Sequence, residues 1–265
     1  MRVLAYEVRR LRGLRSTWFI LGAALLCDAA VAAVLARQLP AGTLSVGAAV
    51  RSVTAVVPLL PLPIAALGTG ALGALSYGHE VRHPGLAASH VSYGRRLGLL
   101  AGKLTVIGLL SALLALATVL LDTLVLRLAL APAVEPGPVF GADAQALAAA
   151  GQPLAVFAGL VVLAGWTGLL TTSLVRSAAA GLLILCALPP LLEPGLSLIL
   201  RQAGRVWPAQ VREVLPFQYG LDWVRGADPQ GAAAPLDPVL LAGVLTPAAL
   251  LLVACVLVQA RRRAL

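Results

Sequence analysis

The sequence contains no asparagine, one lysine (Lys103), one methionine and three cysteines, and charged residues make up only 12% of its 265 positions. Each scarcity excludes something. Without Asn there is no N-glycosylation acceptor. Cys27, Cys186 and Cys255 each sit inside an apolar run, a setting for packing and not for a disulfide framework. No G-x-x-x-x-G-K-[ST] stretch occurs, and Gly102-Lys103 is followed by Leu104, so the chain has no Walker loop for ATP. No strong serine-nucleophile elbow is present either. A soluble domain carries about 25% charged and about 45–50% apolar residues; 12% charged and 60% hydrophobic excludes both a water-soluble globule and a disordered chain.

What is there is apolar length. Mean hydropathy is +0.93. A hydrocarbon layer about 30 Å thick takes roughly 20 apolar residues per helical span. Six segments qualify: Trp18–Leu35, Val53–Leu75, Leu97–Leu126, Leu154–Val175, Ala178–Leu192 and Val239–Val258. The third is long enough to tilt or protrude, and the fifth stops at Pro189-Pro190, where backbone donors are lost. The expectation is an all-α polytopic membrane protein with six spans.

A net charge of +9 and a pI near 10.7 would suggest nucleic acid in a soluble protein. In a membrane protein the question is sidedness, and no nucleic-acid partner is implied. With the N-terminus in the cytoplasm, thirteen of the twenty cations fall inside: Arg2, Arg9, Arg10, Arg12, Arg15, Arg82, Arg95, Arg96, Lys103, Arg176, Arg261, Arg262 and Arg263. Of the acidic residues only Glu7 and Glu80 lie on that side, whereas Glu135, Asp143, Glu213, Asp222, Asp228 and Asp237 lie outside. Loops rich in Lys/Arg stay cytoplasmic, which places both termini inside. Nineteen of the cations are Arg, which with the Ala, Leu and Gly load points to a GC-rich bacterial genome and hence a bacterial plasma membrane.

Residues 2–16 form a basic amphipathic segment, with Val3, Leu4, Val8, Leu11 and Leu14 on one side and Arg2, Arg9, Arg10 and Arg12 mostly on the other. This reads as an interfacial helix on the inner leaflet. It also resembles a secretory signal, but the basic region is too long and Asp28 interrupts the apolar run, so a retained first helix is expected.

Two motifs resemble enzyme chemistry. Gly68-Thr69-Gly70-Ala71-Leu72-Gly73 matches G-x-G-x-x-G, yet inside an apolar span the glycines suit close helix–helix approach and not a dinucleotide. His79-Glu80-Val81-Arg82-His83 matches H-E-x-x-H, in which two histidines hold zinc and the Glu activates water. Arg82 beside the site, Pro84 after it, and no third ligand at a recognisable spacing (His90 included) argue against a membrane zinc protease. It stands as the enzyme alternative.

The stretch Gly78-His79-Glu80-Val81-Arg82-His83-Pro84-Gly85-Leu86, then Ser92-Tyr93-Gly94-Arg95-Arg96 and Lys103, resembles the permease subunit of ABC-2 type transporters. In that family the segment between the second and third spans commonly reads E-[FY]-R-x-G-T, followed by a basic residue and a Lys opening the third span. Glu80, Arg82, Gly85, Arg95 or Arg96, and Lys103 match, with departures at Pro84 and Leu86.

The resemblance implies a single permease domain over 1–265, with an interfacial helix at 2–16, a cytoplasmic coupling loop at 76–96 and an extracytoplasmic segment with short helices at 193–238 before the last span. There Trp207, Phe217, Tyr219 and Trp223 fit an interface, and Arg176-Ser177 fits the tight turn between spans four and five. It further implies an exporter, acting as a homo- or heterodimer, that draws on ATP hydrolysed by a separate nucleotide-binding subunit. Glu80, Arg82, His83, Gly85, Arg95, Arg96 and Lys103 would be the coupling residues. No catalytic residue, metal or cofactor is implied for this chain.

Asp28 falls about 15 Å into the first span. A charge there costs on the order of 2.5–3.5 kcal/mol, so it is protonated, paired or wet. It either lines a transport path or hydrogen-bonds a neighbouring helix, and a proton-coupled secondary transporter using Asp28 is the third reading. Asp122 falls near the outer interface with Arg127 as its expected partner.

Overall fold

A computed structural model of the chain describes residues 2–57, 60, 62–82, 93–132, 134–135, 144–186, 221, 224 and 238–261. Among them are eight helices: α1 (Arg2–Gly13), α2 (Arg15–Arg37), α3 (Val46–Val53), α4 (Ile64–Arg82), α5 (Tyr93–Ala129), α6 (Ala144–Val175), α7 (178–186) and α8 (Pro238–Arg261). Two short strands, β1 (Gly42–Thr43) and β2 (Val134–Glu135), pair in parallel.

Three of these helices, not six, have the length and apolarity of a membrane span: Arg15–Arg37, Leu97–Ala129 and Ala148–Val175. The apolar stretches Ile64–Tyr77 in α4 and Ala248–Val258 in α8 are shorter, and a rise of about 21 Å over the former falls short of a layer about 30 Å thick. The expected second span, Val53–Leu75, is broken. α3 ends at Val53, Ala55 takes a left-handed φ of 47°, and α4 restarts on the Pro63 carbonyl, which accepts from Leu67 N at 3.0 Å. Pro58, Pro61 and Pro63 supply no backbone donors through this interval.

Of the expected fifth span only 178–186 is described; Pro189-Pro190 lies outside the described residues, as does the 193–238 segment apart from Leu221 and Val224, which are buried in the main core. The ABC-2 resemblance implies six spans, so the family assignment fails on architecture. The protein is a multi-pass, mostly helical membrane protein.

α2 and α5 are apolar on the outside and place polar side chains among the buried residues. α5 exposes Leu109, Leu113, Leu116, Leu120, Leu124 and Leu128 along one face, while Ser111, Thr118 and Asp122 on the opposite face are fully buried. At 100° per residue those three polar residues lie within an arc of about 40°. α2 repeats the arrangement: Phe19 and Leu26 are exposed, and Ala24, Asp28, Ala32 and Ala36, four apart, are buried. Leucine faces of this size need an apolar cover, which lipid supplies to a membrane-spanning helix.

Small residues let the helices close together. A Cβ at Gly168 would strike the Gly70 carbonyl, and one at Gly73 the Gly165 carbonyl, so α4 and α6 touch backbone to backbone. Thr69 Oγ1 donates to Val161 O at 2.8 Å across the same contact. The glycines of the G-x-G-x-x-G stretch are therefore a helix-packing device. α6 ends in a tight turn at Arg176 (φ 58°), whose N–H donates to Thr172 O, and Ser177 Oγ caps α7 by accepting from Ala180 N. The turn expected at Arg176-Ser177 is thus present. Cys255 is buried, its Sγ 3.5 Å from Leu170 O; Cys27 and Cys186 are exposed free thiols.

The contacts define two ends. Arg10 reaches Ser76 near the end of α4, and Glu7 reaches Lys103 near the start of α5, so α1 lies where α4 ends and α5 begins. At the opposite end, β1 follows α2 and pairs with β2, which follows α5. α2 and α5 therefore run in the same direction, away from α1.

Candidate functional site

α1 forms because Arg2–Gly13 contains no helix breaker before Gly13, and it stops where Leu14 turns extended (φ −86°, ψ 117°). Trp18 Nε1 then donates to Arg12 O at 3.0 Å, bracing the bend into α2. The face of α1 turned to the protein is not purely apolar. Leu11 is buried against Leu100 and Val106, with Leu14 packed alongside; one turn before Leu11, Glu7 is only 2% exposed. Tyr6 and Val8 remain exposed.

A buried carboxylate needs a cation, and Lys103, the one lysine, supplies it. Its Nζ lies 3.1 Å from Glu7 Oε1, and Lys103 is itself 3% exposed. Arg10 Nη1 sits 3.7 Å from Glu7 Oε2, while Arg10 Nη2 donates to Ser76 O at 3.1 Å. Ser76 Oγ donates to Gly73 O at 2.8 Å. One polar cluster therefore clamps α1 to the last turns of α4 and the first turns of α5. Trp166 Nε1, donating to Leu104 O at 2.9 Å, fastens α6 to the same place.

These clamped helices flank the segment singled out by sequence. Glu80 and Arg82 stand on the last turn of α4, and Arg95 and Arg96 on the first turn of α5. His83, Gly85, Leu86 and His90 lie outside the described residues, so the complete H-E-x-x-H stretch does too. Among the described residues no group of three His, Cys, Asp or Glu could hold a metal ion. Lys103 is brought to Glu7, a pairing that sequence reasoning missed. The signal for it was there: on a helix, Glu7 shares the stripe of Leu11 and Leu14, and a charge on an apolar face needs a partner.

Asp28 lies near the middle of α2 and is fully buried. Thr118 Oγ1 donates to its Oδ2 at 3.4 Å, and Oδ1 has no hydrogen-bond partner among the described residues. Asp122, one turn beyond Thr118 on α5, is also fully buried, with neither oxygen hydrogen-bonded. The expected pairing with Arg127 does not form; Arg127 is exposed. Five residues of helix turn through about 140° beyond a full circle, which carries Arg127 to the lipid side. Thr118, a neutral residue in an apolar run, carried no sequence signal. No family model, curated protein or solved structure matches the chain.

Proposed function

We propose that the chain is the membrane-embedded subunit of a transport system, an exporter whose spans are moved by ATP hydrolysis in a separate chain docking on the 76–96 segment. In this reading the α1 end faces the bacterial cytoplasm, and the subunit works as a dimer with no catalytic residue of its own. The observation that carries it is the buried Glu7–Lys103 pair with Arg10 and Ser76. Both ends of the 83–92 segment, Glu80 and Arg82 on one side and Arg95 and Arg96 on the other, emerge from helices fastened to α1 and so to each other. A load applied there is shared by α1, α4 and α5 and cannot be absorbed by bending one helix end.

Mixed charges at the segment's borders suit a polar cleft on a soluble partner, and the chain has no Walker loop. Sidedness is supported by the positions of the cations: Arg10, Arg12, Arg15 and Lys103 lie toward the α1 end, whereas Arg37 and Arg127 lie toward the β1–β2 end. The test is co-purification with a candidate Walker-loop ATPase, sought first in the reading frames beside this one. Glu80→Ala/Arg82→Ala should weaken the association about tenfold or more and abolish stimulation of ATP hydrolysis. Unchanged association and stimulation would dispose of the reading.

A further inference from the structure

Four of the five buried side-chain oxygens that lack a hydrogen-bond partner among the described residues belong to α2 and to the inner face of α5: Asp28 Oδ1, both oxygens of Asp122, and Ser111 Oγ. Buried polar atoms in proteins are satisfied with few exceptions, so the three carboxylate oxygens call for a further partner; Ser111, which lies against Gly165 of α6 and about three turns from Asp122, is apart from them. Two of the three residues are carboxylic acids at membrane depth. Asp28 is tied to Thr118, and Thr118 precedes Asp122 by one turn on the same face, the spacing at which helix side chains meet. Asp28 thus accepts from Thr118, and Asp122 stands one turn further along α5 on the same face, with neither oxygen hydrogen-bonded among the described residues.

Among the described residues no counter-charge is placed against them. On the elements packed against α2 and α5, Arg37, Arg51 and Arg127 are exposed, and α6 has no titratable side chain. Tyr77, His79, Glu80 and Arg82 all stand at the α1 end of α4, and Glu7 and Lys103 are spent on each other. Two neighbouring buried carboxylates with no cation cannot both be anions in a medium of low dielectric. The smallest ligand that resolves this is a proton. A sodium ion needs more oxygens than these two acids and one hydroxyl, and intramembrane sites for it draw on carbonyls of unwound helices; α2 and α5 themselves are unbroken through Asp28, Thr118 and Asp122, and the sodium arm of the test below separates the two ligands.

We propose that Asp28 and Asp122 form an intramembrane proton-binding site, with Thr118 as the positioning residue that fixes Asp28. A hydronium ion gives up one O–H bond, leaving a water molecule, as an O–H bond forms on one of the two carboxylates; the site then carries one negative charge where it carried two. The site belongs to this chain alone and does not rest on the ATP-driven reading.

The test uses the purified full chain in phosphatidylcholine vesicles, without partner or nucleotide. Infrared difference spectra are recorded as the pH is stepped from mildly alkaline to mildly acidic. The wild type should show a protonated-carboxyl band that shifts in heavy water. It should be lost in Asp122→Asn, lose at least half its amplitude in Asp28→Asn, and persist in Glu135→Gln, which removes an exposed carboxylate. Thr118→Val should keep the band and move its midpoint. As a measurement that needs no variant, an apolar carbodiimide, which attacks protonated carboxyls in apolar surroundings, should label the wild type at Asp28 or Asp122. Absence of the band, its survival in Asp122→Asn, labelling at neither residue, or its removal by sodium chloride but not choline chloride at fixed pH would each overturn the proposal.

Discussion

Replacing Lys103 by Met keeps the length and apolar stem of the side chain while removing the ammonium 3.1 Å from Glu7. Because Glu7 is 2% exposed, its carboxylate is left buried with Arg10, at 3.7 Å, as the one cation on it among the described residues. Removing one member of a buried pair costs about 3–5 kcal/mol. At roughly 2–4 °C per kcal/mol, the melting temperature in detergent should fall by about 6–20 °C. Glu7→Gln should lower it comparably, by stranding the ammonium. The double variant Glu7→Leu/Lys103→Met removes both charges of the pair together, and apolar replacement of a buried pair ranges from neutral to stabilising; it should therefore melt above either single variant, while Arg10 keeps its bond to Ser76 O. The charge swap Glu7→Lys/Lys103→Glu should not restore wild-type stability, because Arg10 would then face a cation across the 3.7 Å it now spans to Glu7. The readout is a double-mutant cycle on thermal unfolding followed by circular dichroism. Strictly additive effects, or a Lys103→Met variant melting within about 2 °C of wild type, would show that the pair does not hold α1 to α5.

Gly168→Ala should destabilise by about 1–3 kcal/mol, since its Cβ would meet the Gly70 carbonyl, whereas Gly159→Ala, with nothing within 4 Å, should be near neutral; melting and monodispersity on size exclusion separate them. Arg176→Gly should raise stability by about 1 kcal/mol, because φ at this exposed position is 58° and glycine adopts it without steric cost. Spin labels at Leu113, Leu120 or Leu124 should be reached by oxygen dissolved in lipid, while a label at Ala115, which is buried, should be shielded; equal accessibility would refute the assigned lipid face.

Composition carried the class, and local patterns carried whatever a single helix decides. α1 begins and ends close to the expected 2–16, α5 and α6 contain the expected third and fourth segments, and the turn at Arg176-Ser177 is where the polar dipeptide interrupts two apolar runs. The second span was misread because hydropathy weighs side chains and not backbone donors. Val53–Leu75 is apolar throughout, but three prolines in six positions cannot continue a ladder of i→i−4 bonds. The error over Asp122 has the same root: Arg127 is close in sequence and of the right sign, yet five residues along a helix point away.

The clamp and the acid pair were illegible for a different reason, since each joins residues about ninety positions apart. Even so, both leave a trace in a single helix. On α2, Asp28 occupies the stripe of Ala24, Ala32 and Ala36; on α1, Glu7 occupies the stripe of Leu11. In a soluble helix the buried stripe is the most apolar one, so a charge on it reads as an exception. In a lipid-facing helix the order reverses: the large leucines turn outward, as at Leu109 to Leu128, and the stripe of small residues turns inward. Asp28, a charge among small residues, is then already placed against a neighbouring helix, whereas Glu7 shares the buried leucine stripe of α1 and is the exception of the ordinary kind; for both the open question is which partner meets it. For Glu7 the partner is Lys103. For Asp28 it is Thr118, which leaves a negative charge unbalanced and makes the proton the missing component.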